Sequence, residues 1–375
     1  MVPARMVDAL ATAHDPRVDR TRLHRLTDIL VVAMLAIING ATAWSDMEAF
    51  ATTRLPWLRT FLGLPNGVPS EDTFRRVFEA ISPREFGDAV TSILKDLVLE
   101  LNGKVVAMDG KTMRGSLDRR RGKSALHVVS AWVSELGVSL GQIAVDDKSN
   151  EITAIPELLA TIDVSGATVT IDAMGCQKAI AQAIVDKGAD YVLAVKDNQP
   201  NLRTSLELAF AEVQGRTDDT IVERVSNGHG HGRTERRRVR VTRNIGWIEG
   251  IEAWKGVRSI VEVERTRTVD EKTSIERAYY ISSLAIGAKE MGRRICAHWS
   301  IENSLHSMLD VTFGEDKSRV RNRNSAANLT ALRKLSASLL KRAPAAGARS
   351  IAQKRKIAGW NPDYAFAVLA GIFGD

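Results

Sequence analysis

The stretch Val105-Val106-Ala107-Met108-Asp109-Gly110-Lys111 decides how this chain is read. Four consecutive apolar residues suit a buried strand, and the run ends in an Asp followed by Gly, where a strand gives way to a loop. Val169-Thr170-Ile171-Asp172-Ala173-Met174 repeats the design, while His298-Trp299-Ser300-Ile301-Glu302-Asn303 reads as a helix. Acidic residues at two strand ends and on a facing helix can converge on paired divalent cations, the arrangement that phosphoryl transfer on nucleic acid requires. Asp109, Asp172 and Glu302 are therefore the candidate catalytic and metal-binding residues.

Working outward, strands are expected at 104–109, 126–133 and 138–145, the last two joined by the turn Ser134-Glu135-Leu136-Gly137. A helix at 152–162, a strand at 168–171, a helix at 177–187 and a strand at 191–195 follow. Three strands of a meander, then helix-crossed parallel strands, is the layout of a ribonuclease H-like α/β core, with an Asp on its first and fourth strands. Asp109 and Asp172 occupy those places. Residues 218–285 are again strand-like and read as a β-rich insertion, and the awaited helix spans 288–309.

Before the core, residues up to about 90 read as helices. Thr27-Asp28 offers a cap before the apolar run that starts at Ile29, and Asn39-Gly40 offers its stop. Ser70 can cap a second helix with a stripe of Phe74, Val77 and Phe78, either a core-packing element or part of a helix-turn-helix. Residues 341–375 look like a basic tail.

With 375 residues and 44% hydrophobic content the chain can bury a substantial core. Its formal charge of +7 favours a polyanionic partner, DNA first. Cys176 and Cys296 are the two cysteines, which excludes a disulfide framework and any Cys-x-x-Cys metal site. A cytoplasmic, nucleoid-associated setting fits, and the ten-residue apolar run at 29–38 is too short to span a membrane.

Cationic residues supply the candidate DNA contacts. On an extended segment Lys111 shares a face with Asp109, and Arg114 follows closely. Residues 223–243 hold seven arginines and two histidines, and as a strand would align Arg236, Arg238 and Arg240 on one face. Such a row can neutralise successive phosphates or protect an edge strand. Lys317, Arg319, Arg321 and Arg323 form a second row. His298, Glu302, His306 and Asp310 recur every four residues and form one polar helix face. They lack the His-Glu-x-x-His spacing of a zinc site. Gly122-Lys123-Ser124 imitates the end of a P-loop, but Leu117 stands where its first Gly belongs.

Met108-Asp109-Gly110-Lys111-Thr112-Met113-Arg114-Gly115, Ile171-Asp172-Ala173-Met174-Gly175-Cys176-Gln177, Val195-Lys196-Asp197-Asn198-Gln199 and His298-Trp299-Ser300-Ile301-Glu302-Asn303, followed by Leu309-Asp310-Val311-Thr312-Phe313, stand in this order. In them the sequence resembles the DDE transposases of bacterial insertion sequences, most closely the H-repeat-associated branch. The resemblance implies a helical transposase-associated domain at 1–95 and a ribonuclease H-like catalytic domain at 100–340. It further implies Asp109, Asp172 and Glu302 as a metal triad with Mg²⁺ (or Mn²⁺), and cleavage and strand transfer on double-stranded DNA by a homodimer. A repressor, an inactive relic and a stand-alone nuclease are the alternatives. Related transposases carry a Tyr, Arg, Glu, Lys signature on the last catalytic helix. Here Ile295, His298 and Leu309 fill the Tyr, Arg and Lys places and Ser307 stands where the branch has Trp, leaving His306 and Lys317 as candidate substitutes.

Overall fold

The computed structural model describes residues 2–95, 98, 100–145, 150–211, 220–230, 232–270, 272–344 and 349–370. Five helices open the chain: α1 (Ala4–Ala11), α2 (Leu26–Ile38), α3 (Trp44–Leu58), α4 (Glu71–Ala80) and α5 (Pro83–Lys95). Strands β1 (Val105–Met113), β2 (Leu126–Val133) and β3 (Val138–Val145) follow, then α6 (Glu151–Thr161), β4 (Thr168–Ile171), α7 (Lys178–Asp186), β5 (Asp190–Val195) and α8 (Pro200–Ala211). Long strands β6 (Ile221–Gly230), β7 (Arg233–Thr242), β8 (Ser259–Val269) and β9 (Lys272–Ser282) lead to α9 (Ala288–His298). A π-wound turn (Ile301–His306), α10 (Ser307–Val311), α11 (Arg323–Arg342), α12 (Ile351–Trp360) and α13 (Pro362–Ala370) complete the chain. The class is α/β, with a mixed sheet and a helical N-terminal region.

Two compact units emerge: residues 1–100, 110–150 and 302–375 form a helical unit, and residues 101–109 and 151–301 a sheet unit.

In the helical unit, α2 is apolar around almost its whole circumference and is buried accordingly. It starts at Leu26 rather than after a Thr27-Asp28 cap, so Asp28 lies in its first turn, where a carboxylate suits the helix dipole. Ser70 caps α4 by accepting the Thr73 N–H at 3.3 Å, and Phe74, Val77 and Phe78 are buried, as a core-packing helix requires. Helix α11 is buried from Ser325 to Leu340 although much of it is polar. Its asparagines meet orphan carbonyls at the end of α4: Asn328 Nδ2 donates to Phe78 O at 3.0 Å and Ile81 O at 3.1 Å, and Asn324 to Glu79 O at 3.1 Å.

The expected tail is corrected by α12 and α13. Lys354 donates to Leu340 O at 2.9 Å and Ala343 O at 2.6 Å, closing α11, and Arg355 donates to Ile37 O at 2.7 Å, closing α2. Residues 345–348 and 371–375 of that stretch lie outside the described residues.

In the sheet unit the strand order is β1-β4-β5-β9-β8-β7-β6. β1, β4 and β5 are parallel, with Met108 opposite Ile171 and Ile171 opposite Leu193. β9 then pairs antiparallel with β5, and β8, β7 and β6 continue antiparallel. The expected β-rich insertion thus extends the same sheet; its residues 218, 219, 231 and 271 lie outside the described ones. In the helical unit the order is β3-β2-β1, with Gly137 at φ 65° in the turn between β2 and β3. Among the described residues no helix is long and apolar enough to cross a membrane.

Candidate active site

Because Met108 and Ile171 are paired on neighbouring parallel strands, Asp109 and Asp172 follow at one level of the sheet unit. Strands so paired lie about 5 Å apart, so the two residues follow as backbone neighbours. β1 does not end at Asp109, as the following Gly suggested, but runs to Met113. Pairing with β4 stops at Met108, while the backbone stays extended through Gly110.

Asp172 ends β4 and caps the short turn Ala173–Gly175, its Oδ1 accepting the Met174 N–H at 3.1 Å. A side chain at residue 175 would run into Ile171 and stand 3.1 Å from Ile155 Cδ1, so the turn closes on β4 only with Gly. The motif residues downstream hold the same turn: Asn198 donates to Ala173 O, and Gln199 to Cys176 O at 3.0 Å. Asn198 and Gln199 are positioning residues absent from the sequence-based site. Their signal was the Val195-Lys196-Asp197-Asn198-Gln199 segment, one of the stretches that carry the resemblance.

Helix α9 lies along β4. Arg294 donates to Thr168 Oγ1, and His298 Nδ1 is 3.0 Å from Thr170 Oγ1. Burial holds the His298 imidazole below its ordinary value, with the Asp172 charge pulling the other way. The ring is anchored to β4 through Thr170. Beyond it the chain rewinds, so the single helix expected over 288–309 is interrupted by the π turn that carries the exposed Glu302. π turns frequently mark functional sites. His306 is pushed down to about 3 by burial, helped by the charges of Lys334 and Lys111.

Among the described residues no group of three or more His, Cys, Asp or Glu side chains is gathered to hold a metal ion. Asp109 and Asp172 are half-buried oxygen donors, the ligand type that Mg²⁺ and Mn²⁺ take.

The expected cationic contacts divide sharply. In the helical unit Lys111 pairs with Asp310 and, at 2.9 Å, with the buried Glu315. Burial works against its charge, but Glu315 and Asp310 outweigh it and raise its pKa. Lys111 is thus tied into an internal ion cluster. In the sheet unit Arg236, Arg238 and Arg240 alternate as expected, but two of them face carboxylates directly across β8. Arg240 donates to Glu262 through Nε at 2.9 Å and Nη2 at 2.6 Å with both residues buried, and Arg238 reaches Glu264 at 3.1 Å. Only Arg236 of that row is exposed; His231 of the same segment lies outside the described residues.

The second row fares differently. Arg319 and Arg321 meet Arg114, Arg119 and Arg120 around a recess of about 350 Å³ in the helical unit. A side chain at residue 115 would collide with the Ser318 carbonyl, so Gly115 lets the two arginine-bearing segments touch. Five arginines converging on one concavity make a ready cradle for anions. Arg119 and Arg120 were not among the candidate DNA contacts read from the sequence.

Comparison with known proteins shows the family of the chain. Residues 101–339 match the family described as Transposase DDE domain, and residues 7–93 match its companion, DDE_Tnp_1-associated. "Putative transposase YncI" of Escherichia coli O157:H7 is 38% identical over 97% of this chain and 94% of its own length. "H repeat-associated putative transposase YhhI" of Escherichia coli strain K12 is 36% identical over 93% of each chain. The chain belongs to the DDE transposases, in their H-repeat-associated branch. That family depends on divalent metal ions and acts on DNA.

Proposed function

We propose that the chain cuts DNA at the ends of its own element and joins the freed 3′ ends to target DNA. The observation that carries this reading is the pair Asp109 and Asp172, level with each other on adjacent parallel strands. Asp109, Asp172 and Glu302 are the residues assigned to hold divalent ions, Mg²⁺ first and Mn²⁺ as the alternative. An ion held there supplies positive charge against the scissile phosphate and a more acidic water.

Glu302 stands exposed on the π turn that follows α9, and turns of that kind frequently mark functional sites. The chain order of three strands, helix, strand, helix, strand supports a ribonuclease H-like core. In cleavage, a water oxygen adds to phosphorus and the 3′ oxygen leaves as a hydroxyl, its proton balancing the one the water loses. In joining, that hydroxyl attacks a target phosphodiester and the target's 3′ oxygen leaves. His298, Asn198 and Gln199 keep the Asp172 turn in place, and the arginine recess holds the backbone. A homodimer bringing two ends together, working at the nucleoid in the cytoplasm, completes the reading.

Asp172→Asn tests it. The Asn side chain still accepts the Met174 N–H, so the turn survives while the charge is lost. End cleavage should disappear with the gel shift on end-containing duplex retained; retained cleavage would sink the assignment. Wild-type hydrolysis without joining would make the protein a stand-alone nuclease, and binding without either step a repressor or an inactive relic.

A further inference from the structure

A larger cavity, about 760 Å³, opens in the helical unit between the start of α3, α4, the segment 314–322 and the first turns of α11. Its floor is apolar: Met47 and Leu329 are buried, and Trp44 is half-buried with its ring 5.2 Å from that of Phe78. Its mouth is cationic, with Lys317, Arg319 and Arg321 exposed beside the N-terminus of the twenty-residue α11. Glu79 is the one carboxylate in the lining, and Arg75 neutralises it at 3.3 Å. Ser325 adds an independent sign. It is 1% exposed and lines the cavity, yet its Oγ has no hydrogen-bond partner among the described residues. A buried hydroxyl left so is costly unless something fills the space beside it.

We propose that this cavity binds one unpaired nucleotide, its base on Trp44, Met47 and Leu329 and its phosphate at the cationic mouth. An aromatic and aliphatic floor suits the flat, weakly polar face of a base, and stacking on a Trp does not depend on which base is present. The helix N-terminus and three cations at the rim suit a phosphate, and the Ser325 hydroxyl is placed to meet a polar edge of the base. Arg319 and Arg321 line both this cavity and the arginine recess, so a strand whose phosphates occupy the recess has its next nucleotide at the cavity mouth. A base stacked and paired inside a duplex cannot enter, which restricts the ligand to a flipped or single-stranded nucleotide. The proposal rests on the reading of the chain as a DNA-processing enzyme for the source of that nucleotide. The shared chemistry, a base bearing a phosphate, is equally that of a free mononucleotide.

The test uses the full chain, wild type and Trp44→Ala, with Trp44→Phe to show that an aromatic face suffices. Three probes are compared at one salt concentration: a fluorescent single strand of about ten nucleotides, the same sequence as blunt duplex, and 2-aminopurine deoxynucleoside monophosphate. Trp44→Ala should weaken single-strand binding about tenfold or more, with duplex binding within about twofold and affinity largely restored in Trp44→Phe. The same loss confined to the monophosphate, with neither DNA bound, would keep the nucleotide site and remove the DNA reading. Unchanged single-strand and monophosphate binding in Trp44→Ala, with duplex still bound, would overturn the site and leave the DNA reading standing. If wild type binds none of the three, both fall. Should Trp44→Ala fail to fold, quenching of the 2-aminopurine probe by wild type against Ser325→Val decides: no difference overturns the proposal.

Discussion

The Lys111 ammonium lies 2.9 Å from Glu315 Oε2, joining the strand that carries Asp109 to a carboxylate 204 residues further along. Glu315 is fully buried and also meets Thr330 Oγ1 and, at 3.8 Å, Arg333. Burial alone would raise its pKa, but Lys111 and Arg333 hold it below the ordinary value, so it is the permanent anion of the cluster. Asp310, raised mainly by burial, is the weaker partner. Glu315→Gln keeps the shape and leaves buried cations short of a counter-charge. It should cost about 3–5 kcal/mol, read as a lower urea midpoint; an unchanged midpoint would show the cluster to be dispensable.

Lys334 gives the same cluster a pH signature. Its ammonium is enclosed, bonded to Ser130 Oγ at 2.5 Å and Gln142 Oε1 at 2.7 Å, and burial pushes its pKa down from 10.5 to about 7. Between these values the unfolded chain holds a proton that the folded chain has released. By linkage, stability rises with pH from about 7 towards 10.5 and is lowest, as far as this group is concerned, below 7. Glu315 acts at the other end: its depressed pKa gives stability that is present above its unfolded value near 4.5 and lost as acid titrates the folded carboxylate. Melting temperatures of wild type and Lys334→Met across pH 7 to about 10 should differ in slope, the variant being flatter; parallel curves would refute the assignment.

How far the sequence could be read follows from where each signal lies. Strands β2 and β4 stand out because their runs are rich in β-branched residues and almost wholly buried, and β3 because its first half is buried. β6 was invisible as a separate strand because nearly every residue of Ile221–Gly230 is exposed, so no alternation betrays it, and register against β7 alone defines it. Asp109 and Asp172 were legible since each follows a short apolar run. The fates of Lys111 and Arg240 were not, because their carboxylates come from Asp310, Glu315 and Glu262, remote in the chain and adjacent only after folding.

The arginines of β7 should separate by burial. Arg240→Ala leaves Glu262 buried without its cation and removes the bond to Phe210 O and the guanidinium lying 5.2 Å over the Phe210 ring. A loss of about 3–5 kcal/mol is expected, with part of it recovered when Glu262→Ala is added. Arg236→Ala, at an exposed position, should change stability by less than about 0.5 kcal/mol. Equal losses from both variants would contradict the buried pairing; chemical denaturation of the four proteins is the measurement.

The arginine recess makes a prediction in salt. Each phosphate neutralised on duplex DNA contributes about −0.9 to the slope of log affinity against log salt. If Arg114, Arg119 and Arg120 contact backbone phosphates, each Ala variant should flatten that slope by about one and weaken all sequences alike, while Arg240→Ala, if folded, leaves it as it was. Gly115→Ala probes the same surface without touching a charge. Its new methyl meets the Ser318 carbonyl and forces apart the segments that carry Arg114 and Arg319. Affinity should fall in Gly115→Ala although every cation is retained. A wild-type salt slope for Arg114→Ala would take the recess out of the DNA path, whatever happens to overall affinity.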